Sequence, residues 1–434
     1  MALKYYFEFT DVQNILHRCE IYNDTFVGDS REVQGTLSLT KASTKDTLEA
    51  IRGGGLQIDL EATNLGDVTT LVEPEATNTA TDSNDFTTGD IFVSSSNPSL
   101  TSATLTSAQA TSPDGTNNAW KLADNNDGNT GQCALNYFNT TVISENYNTV
   151  SLFVKKQGNN DWMYINNVGY DTVSRSWFNI SNGTLGTVAS GHTASIDDYG
   201  NGWYRIAVTF TTEFDLSGQI NIRLATSDGN NNITRDGTNG AYIYGLQAES
   251  HATRQYATSY IPTSGSPQTR GADSALDAGS SDLINSTEGV LYAEIATLSE
   301  NNETLVKALT LGFDITNKVM IYTNANSRTL VNIRRSNNAL SSTVQVLTPS
   351  EGTNFNKIAI SYKSGQNKIF VNGSRVTDTV FDSFTFDYVG NSKSFNKIEF
   401  ANGSGVDGLF QGKVKCVAVF KEALTDAELT ALTS

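Results

Sequence analysis

Hydrolysis of a glycosidic bond needs two carboxylates flanking it, about 5–5.5 Å apart when configuration is retained. The string E-x-D-x-x-E, which would set such a pair on one strand, is absent from this 434-residue chain. The nearest runs, DLEA (Asp59 to Ala62) and FEFTD (Phe7 to Asp11), read as surface acids. His17, His192 and His251 stand outside any H-E-x-x-H string or His/Cys cluster, so neither a zinc site nor a Ser-His-Asp triad has its residues. The glycines of IRGGGLQ lack the lysine of a phosphate loop and read as a turn. No catalytic residue is predicted, and no enzyme is expected.

Binding chemistry is better supplied. In DWMYINNVGYD (161–171), strand alternation puts Trp162 and Tyr164 on one face, with Tyr170 and Trp177 close in sequence. Aromatic rings stack on the CH faces of sugars, while amides and carboxylates hydrogen-bond to hydroxyls. Asn159, Asn160, Asp161, Asn166 and Asn167 lie alongside as such partners. These four aromatics form the candidate carbohydrate site; the competing reading is that their face is core. Trp203 reads as core, because its strand continues as Ile206, Val208 and Phe210. The loops DNNDGN (124–129) and SDGNNN (227–232) offer Asp124, Asp127 and Asp228 as hard oxygen ligands for Ca²⁺. Neither has EF-hand spacing, and such runs also make plain turns. No cofactor is required on this reading; calcium is optional.

The elements that must hold these residues follow from composition. Apolar residues make up 38% and occur in short Val/Ile/Phe/Tyr runs; charged residues are only 17%, against the ~25% usual in globular chains. Thr, Val, Tyr and Phe suit a pleated surface, and Gly and Asn suit tight turns. The chain is expected to be all-β. A net charge of −17 leaves no basic footprint for nucleic acid and disfavours anionic membranes. Cys19, Cys133 and Cys416 are too sparse for a disulfide framework and read as buried thiols, which points to folding in a reducing compartment. The amino terminus MALKYYFEFTDVQNIL has no apolar signal region, and no run approaches the ~20 residues of a spanning helix.

Strands are expected in KYYFEF, RCEIYN, TLSLTK and LQIDLEA of a small β-domain (1–70), with TKDTLEAI as its helix. A second domain (71–262) holds NNAWKLA, NTVSLFVKK, DWMYINNV, SWFNIS, WYRIAVTF, QINIRLAT and AYIYGLQA; strands without intervening helices imply a jelly roll or sandwich. The Ser/Thr-rich 94–112 reads equally as linker or edge strand. Residues 263–272 are expected to link to a third domain (273–434). That domain carries the hairpin signal Asn372-Gly373 and a capping box, Thr425 and Glu428, for a closing helix.

From LVEPEATNTATDSNDF (71–86) through NGWYRIAVTF (201–210) to AYIYGLQAESHATRQYATSYIPTSGSPQTRGAD (241–273), the chain resembles carbohydrate-binding-module-like jelly rolls of tailed-phage virion appendages. Its last third resembles concanavalin A-like (laminin-G-like) sandwiches, on NKIAISYKSGQNKIFVNGSRV and GLFQGKVKCVAVFKEALTDAELTAL. These resemblances imply a virion protein of a bacteriophage tail or other appendage that binds host-surface glycans during attachment. Residues 1–70 would then dock on other virion proteins, and the chain would be a homo-oligomer assembled in the host cytoplasm. The alternatives are a polysaccharide hydrolase of laminarinase-like fold and a structural decoration protein that binds nothing.

Overall fold

The computed structural model describes residues 70–434, apart from 88–90, 93–101, 143–145, 169–173, 213–215, 277, 280, 282–283, 299–306, 325, 327, 336–340, 390–392 and 405–407, and before them the backbone of four strands. Two compact units result. One is built on Ala76–Arg270; the other joins Gly271–Ser434 with most residues up to Glu75. The four early strands are β1 (Leu3–Thr10), β2 (Leu16–Asn23), β3 (Glu32–Thr36) and β4 (Ser38–Thr40). β1 pairs antiparallel with β2 and parallel with β3. LQIDLEA and the TKDTLEAI helix lie outside the described residues. A fifth strand, β5 (Thr70–Val72), follows.

The unit Ala76–Arg270 begins with β6 (Ala76–Asn78), β7 (Ile91–Phe92), β8 (Ala103–Ala110), β9 (Ala119–Asp124), β10 (Thr130–Gly131) and β11 (Ala134–Val142). Next come β12 (Tyr147–Lys156), β13 (Trp162–Val168), β14 (Ser174–Asn179), β15 (Thr184–Leu185) and β16 (Thr193–Gly200). It ends with β17 (Trp203–Phe210), β18 (Leu216–Ala225), β19 (Ile233–Thr234), β20 (Gly240–His251) and β21 (Gln268–Arg270). Two six-stranded sheets form, in the orders β15-β14-β13-β18-β11-β7 and β16-β17-β12-β20-β9-β8. Every strand expected from 71–262 is present, and β8 settles 103–110 as an edge strand.

Side-chain alternation sends Met163, Ile165, Phe178, Ile220, Ile222 and Leu224 from the first sheet against Val150, Leu152, Val154, Ile206, Val208 and Ile243 of the second, in one apolar cluster. Cys133 is a free thiol in that core. Along β20 the alternation would fail at Gly245 but for a bulge, seen as a register shift between Ser151 and Phe153 of β12. Gly245 has φ +64°, and a Cβ there would stand 3.1 Å from both Phe153 and Tyr260. The extra residue lets Ile243 and Leu246 both face inward.

The outer face of the second sheet is closed by the chain's own segment after β20. Gln247 Nε2 donates to the Thr258 carbonyl (3.1 Å), and Ile261 N donates to Gln247 Oε1 (2.6 Å). Glu249 accepts from Thr258 N (2.9 Å) and Oγ1 (2.7 Å), and pairs with Arg254 at 3.4 Å, both side chains buried. Tyr260 then joins Phe153, Trp203 and Tyr244 in an aromatic cluster. Trp203 is therefore buried, but on the face opposite Ile206, Val208 and Phe210, because odd and even positions of a strand point apart. Residues 263–272, expected to be a linker, contain β21, which pairs with β6 so that the two ends of the unit meet (Arg270 opposite Ala76). With its own core and paired ends, Ala76–Arg270 produced alone should be monodisperse and melt in one cooperative transition; a fragment lacking near-UV circular dichroism would refute this.

The other unit is also a sandwich. Its strands are β22 (Ser274–Leu276), β23 (Glu288–Thr297), β24 (Lys307–Gly312), β25 (Lys318–Thr323), β26 (Thr329–Arg334) and β27 (Ser341–Leu347). They continue as β28 (Asn356–Lys363), β29 (Lys368–Val371), β30 (Ser374–Val376), β31 (Lys397–Glu399) and β32 (Gly412–Phe420). The sheets run β30-β29-β28-β23-β32-β5 and β27-β26-β25-β24-β31. β5 is the edge strand beside β32, and its Val72 lies in the core, so the residues just after 70 belong with this sandwich. The β29–β30 turn has Asn372 at φ +48° and Gly373 at φ +78°, the two left-handed residues a type I′ hairpin requires. The closing helix Asp426–Thr433 carries the expected capping box between Thr425 and Glu428. Both units are all-β sandwiches, as the composition implied.

Candidate functional site

The outer face of the first sheet is unlike an ordinary solvated surface. Register places Asn136 (β11), Asn221 (β18), Asn166 (β13) and Arg175 (β14) in one line across four adjacent strands. The next line holds Ala134, Arg223, Tyr164 and Trp177. Polar residues at alternate positions normally meet water, yet Asn136 and Asn221 are 1% exposed, Asn166 2% and Arg223 7%. Burial of an amide calls for a hydrogen-bond partner. Among the described residues, Asn136 Oδ1 and Nδ2, Asn166 Oδ1, Asn221 Oδ1, Arg175 Nε and Arg223 Nε have none. Each such atom costs about 1–3 kcal/mol, and all six lie on one face.

One flank of this floor is aromatic. Tyr164 is fully buried and stacks on Trp177, centroids 5.4 Å apart at 29°. Arg223 lies over the Tyr164 ring at 5.8 Å and donates from Nη1 to its hydroxyl at 3.3 Å. The loop after β18 completes the frame: Tyr164 Oη donates to the Asn231 carbonyl (3.2 Å) and Trp177 Nε1 to that of Asn230 (3.2 Å). Trp162 stays half-buried at the rim. A Cβ on Gly186 would meet its ring at 2.5 Å, so that turn needs glycine.

Of the four predicted aromatics, Trp162, Tyr164 and Trp177 are thus brought together on the expected strand face, which is not the sandwich core. The ring faces of Tyr164 and Trp177 are occupied by each other and by Arg223, so they frame the site rather than offer a bare stacking platform. Trp162 alone keeps partial exposure. Tyr170 lies outside the described residues. Asn136, Asn221, Arg175 and Arg223 were not singled out in the sequence, although alternation with Leu135, Ile220 and Ile222 puts both asparagines on the non-core face.

The predicted calcium ligands are taken up by the protein's own donors. Asp124 accepts from Asn126 N (3.0 Å), Gly237 N (2.6 Å), Asn239 N (3.0 Å) and Asn239 Nδ2 (3.0 Å). Asp127 pairs with Arg235 at 2.8 Å, and that guanidinium holds its carboxyl well below the usual range. Asp228 accepts from Thr187 N (2.8 Å) and Oγ1 (3.0 Å). Among the described residues no group of three or more His, Cys, Asp or Glu gathers as a metal site. His192 has Nδ1 2.9 Å from Ser176 Oγ, and burial pushes it down to about 4, leaving it neutral near pH 7.

No protein-family model matches the chain, and no curated protein matches it. Among solved structures, the Ruminococcus gnavus IT-sialidase CBM40 bound to α2,3-sialyllactose is 18% identical over 37% of this chain and 94% of that one, with a TM-score of 0.28. The K499G mutant of NanB sialidase from Streptococcus pneumoniae is 17% identical over 36% of this chain and 25% of that one, also with a TM-score of 0.28. Domains LG4-5 of the mouse laminin α1 chain are 10% identical over 67% and 90%, with a TM-score of 0.21. At these identities and TM-scores the likenesses concern folding pattern alone and carry no argument about ligand.

Proposed function

We propose that this protein binds glycans, with the outer face of the β15-β14-β13-β18-β11-β7 sheet as the saccharide site. The observation that carries this is the line of buried amides, Asn136, Asn221 and Asn166, with oxygens unpaired among the described residues. Sugar hydroxyls both donate and accept, so they satisfy such groups without imposing charge. Trp162 at the rim adds apolar contact for a ring face. The protein acts as a binder rather than an enzyme; the absence of the E-x-D-x-x-E string that sets a glycosidase's carboxylate pair on one strand supports this reading.

In the wider setting, the protein serves on a phage virion, in the tail or another appendage, and attaches it to host-surface glycans; the sequence resemblance over 71–273 supports this. Residues 1–70 join it to other virion proteins, and self-association multiplies weak sites through avidity. Calcium is dispensable, since Asp124, Asp127 and Asp228 each have protein donors.

A glycan array with the full chain tests the site. Binding should be retained after EDTA and lost in the double variant Asn136→Leu, Asn221→Leu. If that variant binds the array as the parent does, the site lies elsewhere. Binding abolished by EDTA and restored by calcium would overturn the metal-free reading.

A further inference from the structure

We infer that two copies of this chain join edge to edge through β27, antiparallel, so that their five-stranded sheets run on as one; this rests on the self-association proposed above. The outer strand of a sheet offers unpaired N–H and C=O groups, and proteins blunt such edges with short strands, charges or bulges. The four large sheets end in eight such strands. β7 and β15 have two residues, and β5, β30 and β31 have three. β16 carries Asp197 and Asp198 with a register shift beside them. β8 is broken between Thr106 and Ala110, with Ala108 at φ +53°. β27 is different: it has seven residues, none charged, and its register with β26 slips only past Gln345.

Exposure along β27 agrees with an open edge. Ser341, Thr343 and Gln345 are exposed on the outer face, while Val344 and Val346 pack against the core yet stay half-buried. Among the described residues, Ser341–Leu347 makes no main-chain hydrogen bond beyond its pairing with β26. The short helix Thr379–Asp382 lies against the strand and bears Val380, 66% exposed. A second copy is the occupant that charge favours. With a net charge of −17, copies repel except where the contact is neutral, and β27 is a neutral stretch. A twofold axis at Thr343 sets that residue against its counterpart, a favourable cross-strand pair, and Ser341 against Gln345. Arg334 and Arg335 precede the strand and Glu351 follows it. Antiparallel pairing therefore brings the basic end of one copy toward the acidic end of the other.

Sedimentation velocity of the full chain over a concentration series, with variants at exposed Thr343, tests this. The parent should self-associate. Thr343→Lys and Thr343→Glu each set like charges opposite one another and should weaken association about tenfold or more. An equal mixture of the two variants should recover it, because lysine then faces glutamate. Thr343→Cys should cross-link two copies on mild oxidation through the introduced thiols, read by peptide mapping. That variant carries the test if a charged one fails to fold. Charge variants that associate as the parent does, or introduced thiols that stay free in an associated protein, overturn β27 as the surface and leave self-association standing. A parent that stays monomeric overturns both, and leaves the edge to a strand of another protein.

Discussion

Asn221→Leu is expected to make the Ala76–Arg270 unit more stable while removing its saccharide binding. The residue is 1% exposed, and its Oδ1 has no partner among the described residues. Replacing an unpaired buried amide with an apolar side chain of similar size relieves a penalty of about 1–3 kcal/mol. In a domain of this size that raises the melting temperature by roughly 2–4 °C per kcal/mol. Binding falls because the same atom is a hydroxyl partner; stability and function oppose each other here, as they do where a site is held ready for its ligand. A thermal melt and a glycan-binding measurement on one variant suffice. A destabilised protein that still binds would show the amide to be structural and the site misassigned.

Tyr164→Ala should have the largest stability cost on this face, about 3–5 kcal/mol. The ring is fully buried and stacked on Trp177, and its hydroxyl both receives from Arg223 and donates to the Asn231 carbonyl. Truncation empties the cavity and unseats the guanidinium and the loop after β18 together. Trp162→Ala, at the half-buried rim, should cost clearly less and act mainly on binding. If Trp162→Ala melts the domain further than Tyr164→Ala does, the rim and floor described above are interchanged. Tyr164→Phe separates the two roles of the tyrosine. It keeps the stack and so should stay within about 1.5 kcal/mol of the parent, but it releases Arg223 and should weaken glycan binding.

Local signals carried much of the fold. Asn372-Gly373 specifies its hairpin because two successive residues at positive φ admit few other pairs. Thr425 and Glu428 mark the closing helix because capping is decided within four residues. Alternation in QINIRLAT places Ile220, Ile222 and Leu224 inward and Asn221 and Arg223 outward, and the structure keeps that division. Two things escaped such signals. Trp203 is buried on the face opposite its apolar neighbours because the segment around Tyr260, far along the chain, covers that face. Residues just after 70 fall with the last sandwich because β5 pairs with β32 across more than 300 residues of chain.

The candidate site depended on pairing most of all. Alternation alone determined that Trp162 and Tyr164 share a strand face, and that Asn136 and Asn221 point away from their apolar neighbours. It could not say that β11, β18, β13 and β14 lie side by side, nor that Asn136, Asn221, Asn166 and Arg175 fall in register across them. An outward-pointing polar residue is ordinarily solvated, and only the surrounding strands and loops decide whether water reaches it. The sequence therefore determined the β-class, most strands and the facing of each side chain, all of which arise within a few residues. The tertiary structure alone decided which faces are closed and which buried groups stay unpaired, because both depend on contacts between residues distant in the chain.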